Sequence, residues 1–227
     1  MVKIETREQP AYTMAEAARY LKVAPTTLRA WFAGRRYPKG NGVAQSKPLI
    51  RPAGNPPPTL SFWNLIEAHV LRSLRTDHEV KMDSLRRAIA FAEKGFGIKR
   101  LLLSQELRTD AGKVLLEQYG KLIELSASGQ FAMRHIFNEH LARVEWDEWK
   151  FPVRLYPFMS SHVATDRHQV SIAANVAFGR PVLARAGVTT AAIVSRLDCG
   201  ESIHDVADDY GLSDQDMEDA VLYERAA

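Results

Sequence analysis

The chain has 227 residues, 46% of them hydrophobic and 25% charged, with a formal net charge of +3. That length and composition support sizeable cores in two or three domains and exclude a disordered or low-complexity polypeptide. The start, Met-Val-Lys-Ile-Glu-Thr-Arg-Glu, lacks a signal-peptide core, no run approaches the roughly 18 apolar residues of a membrane span, and the single cysteine, Cys199, excludes an internal disulfide.

A reducing, cytoplasmic setting without membrane association is therefore expected. Met14, Ala17, Ala18 and Leu21 recur at i, i+3, i+4 and i+7, so they share one face of a first helix. Thr13 is placed to cap it, with Glu16 three residues on completing a capping box. Pro25 suits the first turn of a second helix, from which Leu28, Trp31 and Phe32 point back onto the first. Ala18 is small where two helices crossing near a right angle must approach closely. This is the spacing of a helix-turn-helix that reads DNA. Two positions depart from its usual pattern. Lys22 stands where glycine is common, in a turn that costs a non-glycine residue about 1 kcal/mol, and Ala24 stands at the N-cap, where Ser or Thr serves better.

The outward face of the second helix carries Thr26, Thr27 and Arg29, side chains that reach phosphates and base edges. Arg35-Arg36-Tyr37-Pro38-Lys39 follows at once, then Gly40-Asn41-Gly42 as a turn and Pro48-Leu49-Ile50-Arg51-Pro52 as an extended return. A basic hairpin in this position is a wing, which rests on the phosphate backbone or minor groove. Ten basic residues up to Gly54 face three acids, a local surplus of about seven. Thr26, Thr27, Arg29, Arg35, Arg36 and Lys39 are thus the candidate DNA-binding residues.

Asn55-Pro56-Pro57-Pro58 reads as a stiff linker. Beyond it Ser61 caps a helix with Phe62, Ile66, Val70 and Leu74 as its stripe, and a second helix runs from about Ser84 to Lys94. The pair is broadly apolar, so part of it is expected to pack on a second subunit. A two-fold homodimer would also let two wings span a palindrome. From Lys99 to Ser126 three strand-like runs suggest a small antiparallel meander. A helix from Phe131 to Val144 follows, then the extended segment Phe-Pro-Val-Arg-Leu-Tyr-Pro-Phe, whose prolines argue against a central strand.

The tail inverts the charge: from Arg196 onward ten acids face two arginines. Thr189 or Thr190 opens one helix, burying Ile193, Val194 and Leu197 and stopping at Gly200. Ser202 with Asp205 caps a second, burying Ile203, Val206, Ala207 and Tyr210 and closing at Gly211. Ser213 with Asp216 caps a third, with Leu212 stapled on Met217. The last two repeat a helix-turn-helix spacing, but Asp214, Asp216, Glu218 and Asp219 on the second helix would repel phosphates, so protein is the expected partner.

No catalytic constellation emerges. His135 and His140 lie off the i, i+4 spacing of a helical metal pair, His162 and His168 lack companions, and Glu145, Asp147 and Glu148 have no phosphate loop or nucleophile elbow beside them. An enzyme, a metal site and a cofactor are not expected.

The segment Tyr-Thr-Met-Ala-Glu-Ala-Ala-Arg-Tyr-Leu-Lys-Val-Ala-Pro-Thr-Thr-Leu-Arg-Ala-Trp resembles the MerR-type winged helix-turn-helix. Leu-Ser-Phe-Trp-Asn-Leu-Ile-Glu-Ala-His-Val-Leu-Arg is similar to the helix that follows it in a group of bacterial antitoxins. The tail from about Val170, with Phe-Gly-Arg-Pro-Val-Leu, then Thr-Thr-Ala-Ala-Ile-Val-Ser-Arg-Leu, then the stretch from Gly200 to Val221, resembles the small antitoxin domain encoded beside PIN-type toxins. The combination is similar to large VapB-type antitoxins. That resemblance implies a protein that binds and neutralises a PIN-domain ribonuclease toxin and binds its own operator DNA as an autorepressor. It also implies a partner surface, for which Ile193, Leu197, Tyr210, Met217 and Val221 are the candidates. The alternative is a MerR-type one-component regulator whose middle domain senses a ligand. The expected architecture is α+β and mainly helical: 1–97 as winged helix-turn-helix with its following helix pair, 98–168 as meander plus helix, and 169–227 as an acidic three-helix antitoxin domain.

Overall fold

A computed structural model of the chain describes residues 5–75, 86–87, 89–90, 94, 100–103, 138–158 and 168–226. Helices α1 (Met14–Leu21) and α2 (Pro25–Ala33) form the first helix-turn-helix. The α1 capping box is complete: Thr13 Oγ1 accepts from the Glu16 amide while the Glu16 carboxylate accepts from the Thr13 amide at 2.8 Å. Lys22 takes the left-handed turn, φ 52° and ψ 46°, and Ala24 makes no side-chain cap, both as the sequence implies. Leu28, Trp31 and Phe32 are buried against α1.

Strands β1 (Arg36–Lys39) and β2 (Gly42–Gln45) form the wing hairpin, paired antiparallel from Arg36↔Gln45 to Lys39↔Gly42. Its two-residue turn needs positive φ at its first position, which Gly40 supplies at 59°. So tight a turn lets the chain return immediately, and the return strand is 42–45 rather than Pro48–Pro52. The latter segment closes back on α2 instead, the Leu49 and Ile50 amides donating to Trp31 O at 2.7 and 3.1 Å.

The proline run is not a linker between domains. The amides of Gly54 and Thr59 donate to each other's carbonyls at 3.0 and 2.9 Å, so the prolines form the tip of a closed turn. Leu60 then pairs with Tyr12, and α3 (Phe62–Arg75) enters the same core as α1 and α2. Every residue from Leu60 to Arg72 is buried. A helix covered on all sides must satisfy its polar groups internally. Asn64 does so four ways: Oδ1 accepts from the Ala53 and Ser61 amides, and Nδ2 donates to Arg51 O and Glu67 Oε2. Glu67 pairs with Arg100 at 2.9 Å, and Arg72 donates to Leu21 O. The chain itself covers residues 60–72, so that stretch offers no face to a second subunit; most of the expected partner helix from Ser84 to Lys94 lies outside the described residues.

Leu101–Leu103 form a 3-10 turn, not the expected strand, with Leu102 and Leu103 buried in that core. The rest of the expected meander lies outside the described residues. So does most of the expected helix from Phe131; its end, 138–142, is helical, but Val144 opens a strand rather than closing the helix. Strands β3 (Val144–Trp146) and β4 (Pro152–Leu155) form a hairpin, and Leu155 bridges to Ile172. The described parts of 1–97 and 98–168 thus share one core.

Strands β5 (Val170–Ser171) and β6 (Val182–Leu183) pair antiparallel and lead to three helices, α4 (Thr190–Asp198), α5 (Ile203–Tyr210) and α6 (Asp214–Arg225). A second core joins Leu183, Ile193, Val206, Ala207, Met217 and Ala220. The architecture is α+β: helices with small antiparallel strand pairs.

Candidate nucleic-acid and partner interfaces

On the first unit, Thr26 and Arg29 on α2 are exposed, Thr27 is half-buried, and Arg35 and Arg36 lead exposed into the wing that Lys39 closes. Among the described residues the three guanidinium groups have no ion-pair partner, so their charge is available to a polyanion. The wing is held at a set angle to α2. Gln45 Nε2 donates to Ala33 O, the Arg35 amide donates to Ser46 Oγ at 2.8 Å, and the Ser46 amide donates to Arg35 O. Gly34, φ 75°, lies so close that a Cβ there would meet Ser46 O at 2.0 Å. The Gln45 bond uses a carbonyl that ends α2 and would otherwise be open.

The second unit has the same outline and the opposite charge. Gly211, φ 63°, is the left-handed turn, and Ser213 with Asp216 forms the capping box of α6. Asp208, Asp214 and Glu218 are exposed, their carboxylates without a hydrogen-bonding or ionic partner among the described residues. Of the apolar partner candidates, Ile193 and Met217 are spent on the unit's own core, at 0% and 1% exposure, and have no surface to offer. Leu197 and Val221 are half-buried, and Tyr210 is exposed beneath the Arg196 guanidinium, 5.2 Å from its ring centre. Ile203, expected with Tyr210 on the buried face of its helix, is instead 51% exposed, and Leu222, which periodicity did not single out, is 52% exposed. Ile203 opens its helix, where no further turn covers it.

The two units, read from the sequence as opposite ends, touch. Gly179, φ 78°, packs on Tyr12, where a Cβ would meet the hydroxyl at 2.1 Å, and Arg19 lies 3.9 Å from Glu224. Of the carboxylates considered for acid–base work, Glu148 is exposed and the other two are structural. Glu145 pairs with Arg154 at 3.1 Å, and Asp147 pairs with Arg7 at 2.8 Å while accepting the Trp149 and Phe151 amides. His140 packs on His69 with ring centres 5.0 Å apart, and burial holds the His69 imidazole well below its usual pKa. His168 stacks on Tyr156; His135 and His162 lie outside the described residues. Among the described residues no three His, Cys, Asp or Glu side chains gather as a metal site, and no helix is long and apolar enough to cross a membrane.

Residues 10–89 match a family described as "Putative DNA-binding HTH domain", and residues 170–223 match one described as "Protein of unknown function (DUF433)". Over 230 residues the chain is 30% identical to "Putative antitoxin VapB45" of Mycobacterium tuberculosis H37Rv, spanning 93% of this chain and 92% of that one. The chain belongs to the VapB antitoxin family. The fold is shared with a crystal structure of Rv2018 from Mycobacterium tuberculosis, at 24% identity and a TM-score of 0.66 over 93% of this chain and 97% of the other. This VapB-type chain therefore carries a DNA-binding helix-turn-helix, and its antitoxin kinship points to a regulatory rather than an enzymatic protein.

Proposed function

We propose that this VapB-type chain neutralises a PIN-domain ribonuclease with its acidic C-terminal unit and represses its own operator with the basic N-terminal unit. The observation that carries the reading is the pairing of two helix-turn-helix outlines of opposite charge in one antitoxin chain. On the first, Arg29, Arg35, Arg36 and Lys39 dock on operator phosphates, with Thr26 and Thr27 near the bases and the wing lying in the MerR manner. On the second, the exposed Tyr210, with Leu197 and Val221 beside it, meets the toxin inside an acidic rim. A homodimer would set two wings on two half-sites.

Co-expression with the product of the neighbouring gene, followed by pull-down and by gel shift on the upstream DNA, tests both halves. The reading expects a co-purifying nuclease whose activity is suppressed, and a retarded promoter fragment. Arg35→Ala should weaken binding to all sequences alike and reduce the salt slope by about one unit; an unchanged slope removes Arg35 from the interface. Tyr210→Ala should weaken toxin capture without changing the gel shift.

A further inference from the structure

An α-helix leaves its last four carbonyls without partners inside the helix. On α1 two are met by the turn itself: Ala18 O accepts from the Lys22 amide and, at 3.0 Å, from the Val23 amide, while Arg19 O accepts from Lys22 at 3.3 Å. Leu21 O is met by Arg72 Nη1 of α3 at 2.7 Å. The remaining one, Tyr20 O, accepts the hydroxyl of Tyr223 at 3.0 Å, across 203 residues of chain.

Tyr223 sits near the end of α6 and is 1% exposed. The Lys22 ammonium lies 4.2 Å from the centre of its ring and donates to its backbone carbonyl. Next to it, Glu224 accepts from Thr190 Oγ1 at 2.6 Å and faces Arg19. Lys22 occupies the left-handed residue of the turn that aims α2, where glycine would be unstrained. Its side chain, reaching into the C-terminal unit, accounts for a lysine there.

We propose that Tyr223 and Lys22 are positioning residues of the DNA reader: the C-terminal unit caps α1 and fixes the turn that presents α2. This rests on the DNA-binding half of the proposed function, and it places both units in one reading device. In this role neither residue needs to touch DNA.

The test uses the full chain with Tyr223→Phe and Lys22→Gly, a promoter fragment titrated at several salt concentrations, and amide hydrogen exchange. Tyr223→Phe keeps the ring and loses one hydrogen bond, so binding should weaken about three- to tenfold. The salt slope should stay constant, because no phosphate contact is lost. Exchange should quicken at the Val23, Thr27 and Leu28 amides while α4 stays protected. Lys22→Gly relieves the turn: if the turn alone mattered, binding would hold or tighten, whereas the positioning role has it weaken at constant slope. A slope that falls by about one unit in Lys22→Gly places that lysine on a phosphate and overturns the proposal. So does wild-type affinity with wild-type exchange, or a rise in exchange spread evenly over α4 and α6. If the wild type retards no fragment, the DNA reading fails, and the exchange pattern alone decides the positioning role.

Discussion

The α1–α2 and α5–α6 units share a plan: a capped helix, a left-handed turn residue and a second helix with a charged outer face. They differ in where their stability comes from. In the second unit the start of each helix and the turn between them are closed locally, by Ser202 with Asp205, by Gly211, and by Ser213 with Asp216. In the first, α2 begins at Ala24 without a side-chain cap, the turn is a strained lysine, and α1 and α2 end on carbonyls met by Tyr223, Arg72, Gln45, Leu49 and Ile50. The second unit takes its caps and turn from neighbours in sequence, whereas the first closes the ends of both its helices partly through neighbours in space. Charge separates them as well, exposed Arg29, Arg35 and Arg36 on one and Asp208, Asp214 and Glu218 on the other. The same backbone plan can thus serve a polyanion or reject it.

The largest test of this contrast is Leu28→Ala. Leu28 is fully buried in the core that α1 and α2 share with α3, and its truncation should cost about 2–5 kcal/mol in denaturant unfolding. A much smaller cost would mean that the first unit does not depend on the shared core. Gly179→Ala drives a Cβ at positive φ into Tyr12 where the two units meet, and should cost more than about 1 kcal/mol by the same measurement. Wild-type stability there would make the inter-unit contact dispensable.

Acid tests the first core alone. His69 is buried with Arg72, Arg143, His140 and Phe158 around it, so the folded chain holds it neutral. The unfolded chain takes up a proton near pH ~6.5, so stability present above that pH falls as pH drops below it. Melting curves from about pH 7.5 to about pH 5 should show this loss, and His69→Phe should flatten it.

The smallest effects are the caps. Ser213→Ala should cost about 1 kcal/mol, while Ala24→Ser, which installs the cap that α2 lacks, should gain about 0.5–1 kcal/mol. If Ala24→Ser gave nothing, tertiary contacts already satisfy the start of α2.

The elements most legible in the sequence were those whose signals lie within one helical turn. Thr13 with Glu16, Ser213 with Asp216, Gly211, and the Leu28–Trp31–Phe32 face all occur where spacing placed them. Pairing between segments was less legible. The return strand of the wing lies earlier than Pro48, because a two-residue turn at Gly40-Asn41 brings the chain back at once. Asn55–Pro58 has a linker's composition, yet the Gly54–Thr59 bonds close it into a turn. The helix after Ser61 shows a stripe in sequence and burial on every side in space, since polar Asn64 and Glu67 find internal partners. Among the partner candidates, periodicity could not tell Ile193 and Met217, which face their own core, from Tyr210, which faces out.

By itself the sequence determined where the locally capped helices of the two units begin and the sign of charge on each unit, because caps, turns and ionised side chains act over a few residues. Only the tertiary structure decided that the acidic tail lies against the turn of the basic reader, with Tyr223 on Tyr20 and Lys22 over the Tyr223 ring. An open carbonyl at a helix end carries no mark of which distant hydroxyl will meet it. That pairing exists once both units have folded and burial has left it no water to bond instead.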